Sequence, residues 1–120
     1  MRTRILIAML PSLLFPATTA DAHAILDHAD PRVGSTVRTA PHTVTLWFTQ
    51  DLEPSFSTIE VRNASGARVD SGRASFGAGG RNVMRIALKP LSPGTYSVSW
   101  RVMSVDTHTT EGTFSFRVGG

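Results

Sequence analysis

The chain has 120 residues, 41% of them hydrophobic, and no cysteine. That length suits one small domain with one core, and the missing thiols exclude disulfides, Cys-based zinc sites and iron–sulfur centres. The formal charge is +3, but the arginines are scattered from Arg32 to Arg117 without a run, so no nucleic-acid surface is expected.

Residues 1–22 read as a secretory signal peptide. Arg2 and Arg4 open it, an apolar stretch from Ile5 to Phe15 follows, and Ala20-Asp21-Ala22 is a small-x-small cleavage site. The apolar stretch is too short to span a bilayer and is interrupted by Pro11 and Pro16. No later segment approaches spanning length, so no membrane anchor is expected in the mature chain. The expected organisation is a cleaved leader, 1–22, and one domain, 23–120, with ten basic and eight acidic residues.

Beyond the leader the apolar residues alternate with period two, the mark of strands with one face on a core and one toward water. Val44, Leu46 and Phe48 share a face in 43–49, and Ile59 and Val61 do so in 57–62. Met84, Ile86 and Leu88 follow in 82–88, with Met84 in register for the core. The clearest run is 95–103, where Tyr96, Val98, Trp100 and Val102 face one way; 113–118 repeats it with Phe114, Phe116 and Val118. Turn residues separate the runs: Asp30-Pro31-Arg32-Val33-Gly34, Asn63-Ala64-Ser65-Gly66, Gly77-Ala78-Gly79-Gly80 and Ser92-Pro93-Gly94. No helical period appears outside the leader. The pattern predicts an all-β, Greek-key, immunoglobulin-like sandwich or small barrel of about seven strands.

The chemistry gathers at two places. Cleavage after Ala22 makes His23 the first residue, so its α-amine and imidazole Nδ1 can close a small chelate ring on one metal ion. Asp106 and His108 lie between the run ending near Met103 and the last strand. In extended backbone, residues two apart point the same way. Alone, an Asp-x-His triplet in a loop is commonplace, and a histidine after a cleavage site can be incidental; their concurrence is what carries weight. Cu(II) prefers a tetragonal field of nitrogen and oxygen, and the amine and imidazole of His23, the imidazole of His108 and the carboxylate of Asp106 would supply one. His28, five residues on, is expected on the opposite strand face from His23, at the surface or supporting the site. His42 is read as solvated and Met103 as packing. Gly77 to Gly80 lacks the Lys-Ser/Thr and helix of a phosphate cradle.

These residues resemble the CopC family of periplasmic copper-binding proteins over essentially the whole mature chain. The matching stretches are His23-Ala24, Asp30-Pro31-Arg32-Val33-Gly34-Ser35, Leu46-Trp47-Phe48-Thr49 and Leu91-Ser92-Pro93-Gly94-Thr95-Tyr96. Trp100-Arg101-Val102-Met103-Ser104-Val105-Asp106-Thr107-His108 and Glu111-Gly112-Thr113-Phe114-Ser115-Phe116 complete them. The resemblance implies a periplasmic, non-enzymatic protein that binds one Cu(II) ion through His23, Asp106 and His108, acting in copper resistance or uptake. A separate CopD-like inner-membrane copper transporter is its implied partner. Two departures stand out. Some members carry a methionine-rich Cu(I) loop with a histidine, yet residues 63–73 hold neither, so no Cu(I) methionine site is expected. Some have a glutamate near the copper where this chain has Gln50, which leaves Asp106 as the only carboxylate of the set. Two other functions fit the residues less well. A histidine-brace copper oxidase of polysaccharides needs a broad substrate face that about 98 residues leave little room for. A metal-free immunoglobulin-like interaction module would make the histidines incidental.

Overall fold

Alternation sorts the chain after residue 22 into strands whose apolar faces must find one another, and two sheets packed face to face are the result. The computed structural model describes residues 23–120; the leader expected over 1–22 lies outside the described residues. Eight strands follow in order: β1 (Leu26–Asp30), β2 (Thr36–Val37), β3 (Thr43–Phe48), β4 (Thr58–Arg62), β5 (Asp70–Gly77), β6 (Gly80–Leu88), β7 (Gly94–Met103) and β8 (Thr109–Val118). One sheet has the order β1-β3-β6-β5 and the other β2-β8-β7-β4. Every pairing is antiparallel except that of the two-residue β2 with β8. Hairpins join β5 to β6 and β7 to β8; the other connections change sheets, as a Greek key requires. The all-β sandwich read from the sequence is the fold.

The interior is built from the faces the alternation assigns. Val44, Leu46 and Phe48 of β3 with Met84 and Ile86 of β6 meet Ile59 and Val61 of β4, Tyr96, Val98 and Val102 of β7, and Phe114, Phe116 and Val118 of β8. The Tyr96 ring stacks on Phe116 at 5.6 Å, and its hydroxyl donates to the Ser92 carbonyl at 2.5 Å, so the polar end of a buried ring is satisfied. One polar group is held inside by design of its neighbours. The Asp70 carboxylate on β5 accepts from the Val61 amide of the facing sheet at 2.7 Å, from the Gly72 amide at 2.7 Å, and from Arg68 Nε and Nη2 at 2.8 Å. Burial pushes this carboxyl up, but the hydrogen bonds from Arg68, Val61 and Gly72 and the guanidinium charge outweigh burial and hold it below its ordinary value.

Three strands are not separately visible in the hydrophobic pattern. β5 is an edge strand whose Ser71, Gly72 and Arg73 are all exposed and of which only Ala74 and Phe76 pack on the core, so its alternation is too short to stand out. β2 is too short to have a period. β1 carries a bulge between Leu26 and His28: Ala24 is buried and Leu26 packs on the core, yet the next inward residue is Ala29. That extra residue reverses the phase beyond it. His28 therefore faces outward as His23 does, not to the opposite face that a five-residue offset predicts. β8 begins at Thr109, four residues before its apolar run, because Thr109, Thr110, Glu111 and Gly112 pair with β7 from Met103 back to Trp100.

Gly112 lies opposite Trp100, where an added Cβ would stand 2.5 Å from the indole ring. Trp100 is itself set edge-on against Phe48 at 5.2 Å and has little slack. Gly112→Ala is expected to lower stability by about 1–3 kcal/mol through overpacking, read from the urea midpoint at constant slope. Because the Asp70 carboxyl is depressed in the folded state, its contribution is present above the unfolded-chain pKa and is lost as pH falls through the folded value. The urea midpoint should fall as the solution is acidified below the ordinary carboxylate range, and Asp70→Asn should flatten that part of the profile.

Candidate metal centre

The first described residues are held by small groups in tight places. Ala24 has no exposed surface, a fit that only a short side chain allows at the rim of the core. Its carbonyl accepts from Thr110 Oγ1 of β8 at 2.6 Å. One residue on, the Ile25 amide donates to Thr49 Oγ1 at 3.0 Å and the Ile25 carbonyl accepts from the Thr49 amide at 2.9 Å. The segment is thus clamped between the start of β8 and the end of β3. Thr110 stands two residues after His108, and the clamp brings the His23 ring to 4.8 Å from the His108 ring, their planes tilted by 50°.

The loop bearing His108 is a closed turn and not an extension of the strand. Ser104 is fully buried and pairs with Leu52 in an isolated bridge. Its amide donates to the His108 carbonyl at 2.9 Å, the Thr107 amide donates to the Ser104 carbonyl at 2.8 Å, and the Val105 amide donates to the Asp51 carbonyl at 3.0 Å. Thr107 takes φ +70, the left-handed region that non-glycine residues seldom enter, and its hydroxyl donates to the Asp106 carbonyl. Strand alternation therefore does not set the Asp106 and His108 side chains on one side, as extended backbone would. Both are exposed.

Two of the three expected metal-site residues thus meet: His23 and His108 stand close enough for one ion about 2 Å from a nitrogen of each ring. Asp106 sits in the same loop, but among the described residues no three His, Cys, Asp or Glu side chains form a group around a common point. The side-chain donors here are imidazole and carboxylate, nitrogen and oxygen ligands of the kind that suit Cu(II). Among the described residues the soft donors are Met84, fully buried in the core, and Met103, half-buried at the end of β7 opposite Thr109.

His28 is committed elsewhere. Its ring stacks on Trp47 at 4.2 Å with planes 10° apart, and its Nδ1 lies 2.7 Å from Asp27 Oδ2. His42 is exposed, as expected. The residues that position the histidines are Ala24, Thr49, Ser104 and Thr110, a role the sequence does not announce. Each is a short side chain with one hydrogen-bonding atom or none, and no local pattern distinguishes it from its neighbours.

Residues 26–119 match the model of the CopC domain family. The copper resistance protein C of Xanthomonas campestris pv. juglandis is 36% identical over 108 residues, covering 85% of this chain and 84% of that protein. The copper transport protein CutJ of Bacillus subtilis is 31% identical over 98% of this chain, which spans only 22% of that longer protein. Among solved structures, CopC from Methylosinus trichosporium OB3b superposes with a TM-score of 0.76 at 31% identity, covering 81% of this chain and 94% of its own.

The clamp is testable without metal. Thr110→Val keeps shape and volume but removes the donor to Ala24, and is expected to cost about 1 kcal/mol. Nuclear Overhauser contacts between the His23 and His108 rings should weaken or vanish in that variant while those of the β7–β8 ladder persist.

Proposed function

The chain belongs to the CopC family, and we propose that it is a periplasmic carrier or buffer of copper that holds one Cu(II) ion at the pole where its N-terminal segment meets the loop after β7. In this reading removal of the leader after Ala22 frees the His23 amine. Amine and Nδ1 of His23, the imidazole of His108 and a carboxylate oxygen of Asp106 then provide the equatorial donors. The single observation that carries the reading is the approach of the two imidazoles across the Ala24–Thr110 clamp, 4.8 Å between ring centres from residues 85 positions apart in sequence.

The ligand chemistry supports Cu(II) over Cu(I). Residues 63–73 form the turn after β4 and the start of β5 and contain no methionine or histidine. With Met84 in the core, no thioether set exists at the surface of the described residues for a softer ion. Names given to relatives speak of copper resistance and copper transport, and no reaction is assigned to the site. Among the described residues no helix is long and apolar enough to cross a membrane. In this reading the copper is handed to a separate CopD-like copper transporter of the inner membrane.

Copper titration of the protein beginning at His23, followed by electron paramagnetic resonance, tests the reading. One equivalent should bind with nitrogen hyperfine structure from two imidazoles. A single residue added before His23 should weaken binding by orders of magnitude, because it converts the chelating amine into an amide. His108→Ala should remove one imidazole from the spectrum. Undiminished affinity in the extended protein, or an exported form that mass spectrometry finds starting elsewhere, would defeat the proposal.

A further inference from the structure

Four large hydrophobic side chains stand well exposed among the described residues: Phe56 at 62%, Val33 at 58%, Ile25 at 47% and Val105 at 41%. Three of them share one pole, the one that carries His23 and His108. Residues 49–56, between β3 and β4, tie them together. Thr49 bonds Ile25, the Asp51 carbonyl accepts from the Val105 amide, and the Glu53 amide donates to Met103 while its carbonyl accepts from the Phe56 amide. Leu52 bridges Ser104 on one side, and its amide donates to the Arg81 carbonyl on the other. Beside it opens a cleft of about 200 Å³ lined by Leu52, Pro54, Phe76, Gly77 and Arg81. Isolated apolar residues on a surface are ordinary; a group of them joined through one segment that also lines a cleft marks an interaction face.

The charges around this face say what kind of partner it fits. Asp51 and Asp106 are exposed on it and Glu53 is half-exposed; of the nearby cations, Arg101 already faces Glu111 at 3.9 Å and Arg81 lines the cleft. The opposite pole carries Arg32, Arg38, Lys89 and Arg117. A domain with more basic than acidic residues thus presents an acidic rim where its apolar side chains are exposed. An anionic lipid surface would be repelled by that rim, and two copies meeting through it would set Asp51, Glu53 and Asp106 against themselves. We infer that this pole is the docking face for a protein partner whose contacting surface is apolar at its centre and rimmed by lysine or arginine. Phe56 is its leading anchor, and the cleft at Leu52, Pro54 and Phe76 receives an apolar side chain of the partner. Because His23 and His108 lie within the same face, docking brings the partner's groups up to the metal site. That last consequence rests on the copper reading above; the docking does not.

The probe is a synthetic peptide of alternating lysine and phenylalanine, with a glutamate-for-lysine peptide as control, titrated into isotope-labelled protein free of metal. Amide shifts should be confined to Ile25, 49–57, 76–81 and 103–108. Phe56→Ser, a change at an exposed position, should weaken the interaction about tenfold. Raising ionic strength from about 0.02 to 0.2 M should weaken it further, as screening of rim charges demands. The same variant should titrate with Cu(II) as the parent does. Shifts spread over the opposite pole, equal binding of the glutamate peptide, recruitment to phosphatidylglycerol vesicles, or sedimentation as a dimer that Phe56→Ser abolishes would each overturn the inference. So would loss of copper binding in Phe56→Ser. A parent protein that binds no copper yet maps the peptide to this face would sink the carrier reading and leave the docking face standing.

Discussion

The ladder between β7 and β8 is the interaction on which the rest depends. It runs unbroken from Gly94 opposite Val118 to Met103 opposite Thr109, and places Tyr96, Val98 and Val102 beside Phe114, Phe116 and Val118 on the inner face. Long antiparallel pairing with apolar residues on one side is strongly registered, since a slip of one residue would turn every inward side chain outward. The closed end of the ladder is the loop that bears Asp106 and His108. The register that packs the core therefore also fixes the height at which His108 leaves the sheet and the position from which Thr110 reaches Ala24.

From that arrangement the molecule acquires two unlike ends. One gathers residues 23–25, residues 49–56, the β5–β6 turn and the loop after β7. Its carboxylates, exposed apolar side chains and paired histidines are supplied by segments far apart in the chain. The other end collects the connections that carry Arg32, Arg38 and Lys89, together with the end of β8. Fields of opposite sign at opposite ends orient a protein during encounter more than they bind it. The Asp70 cluster lies away from the His23–His108 pair; it ties β4 to β5 and closes the corner between the two sheets.

Much of the fold was legible in the sequence because its signal is local. Period-two runs in β3, β4, β6, β7 and β8 announce an inner face whatever lies opposite. β5 escaped because its exposed Ser71, Gly72 and Arg73 leave only Ala74 and Phe76 to pack on the core, too short a run to announce a strand, and β2 because two residues have no period. The phase of β1 was misjudged through its bulge, which nothing in Leu26, Asp27 or His28 foretells; two-residue counting fails wherever one strand gains a residue on its partner. The loop after β7 departed from extended backbone for a comparable reason. Buried Ser104 and left-handed Thr107 close it through bonds to neighbours and to Asp51.

Residue chemistry alone determined which donors this protein has: nitrogen and oxygen, no thiolate, and no thioether–histidine loop. It also determined that a histidine follows the small-x-small run Ala20-Asp21-Ala22 and that a carboxylate and an imidazole recur two residues apart at Asp106 and His108. Whether those two places meet was decided only by tertiary structure. Nothing near His23 in sequence encodes an approach to His108. That proximity arises because Ala24 is small enough to be buried at the rim of the core and Thr110, in register on β8, holds its carbonyl. Proximity across 85 residues is a property of the packed sheets, since chain connectivity by itself imposes no such closeness.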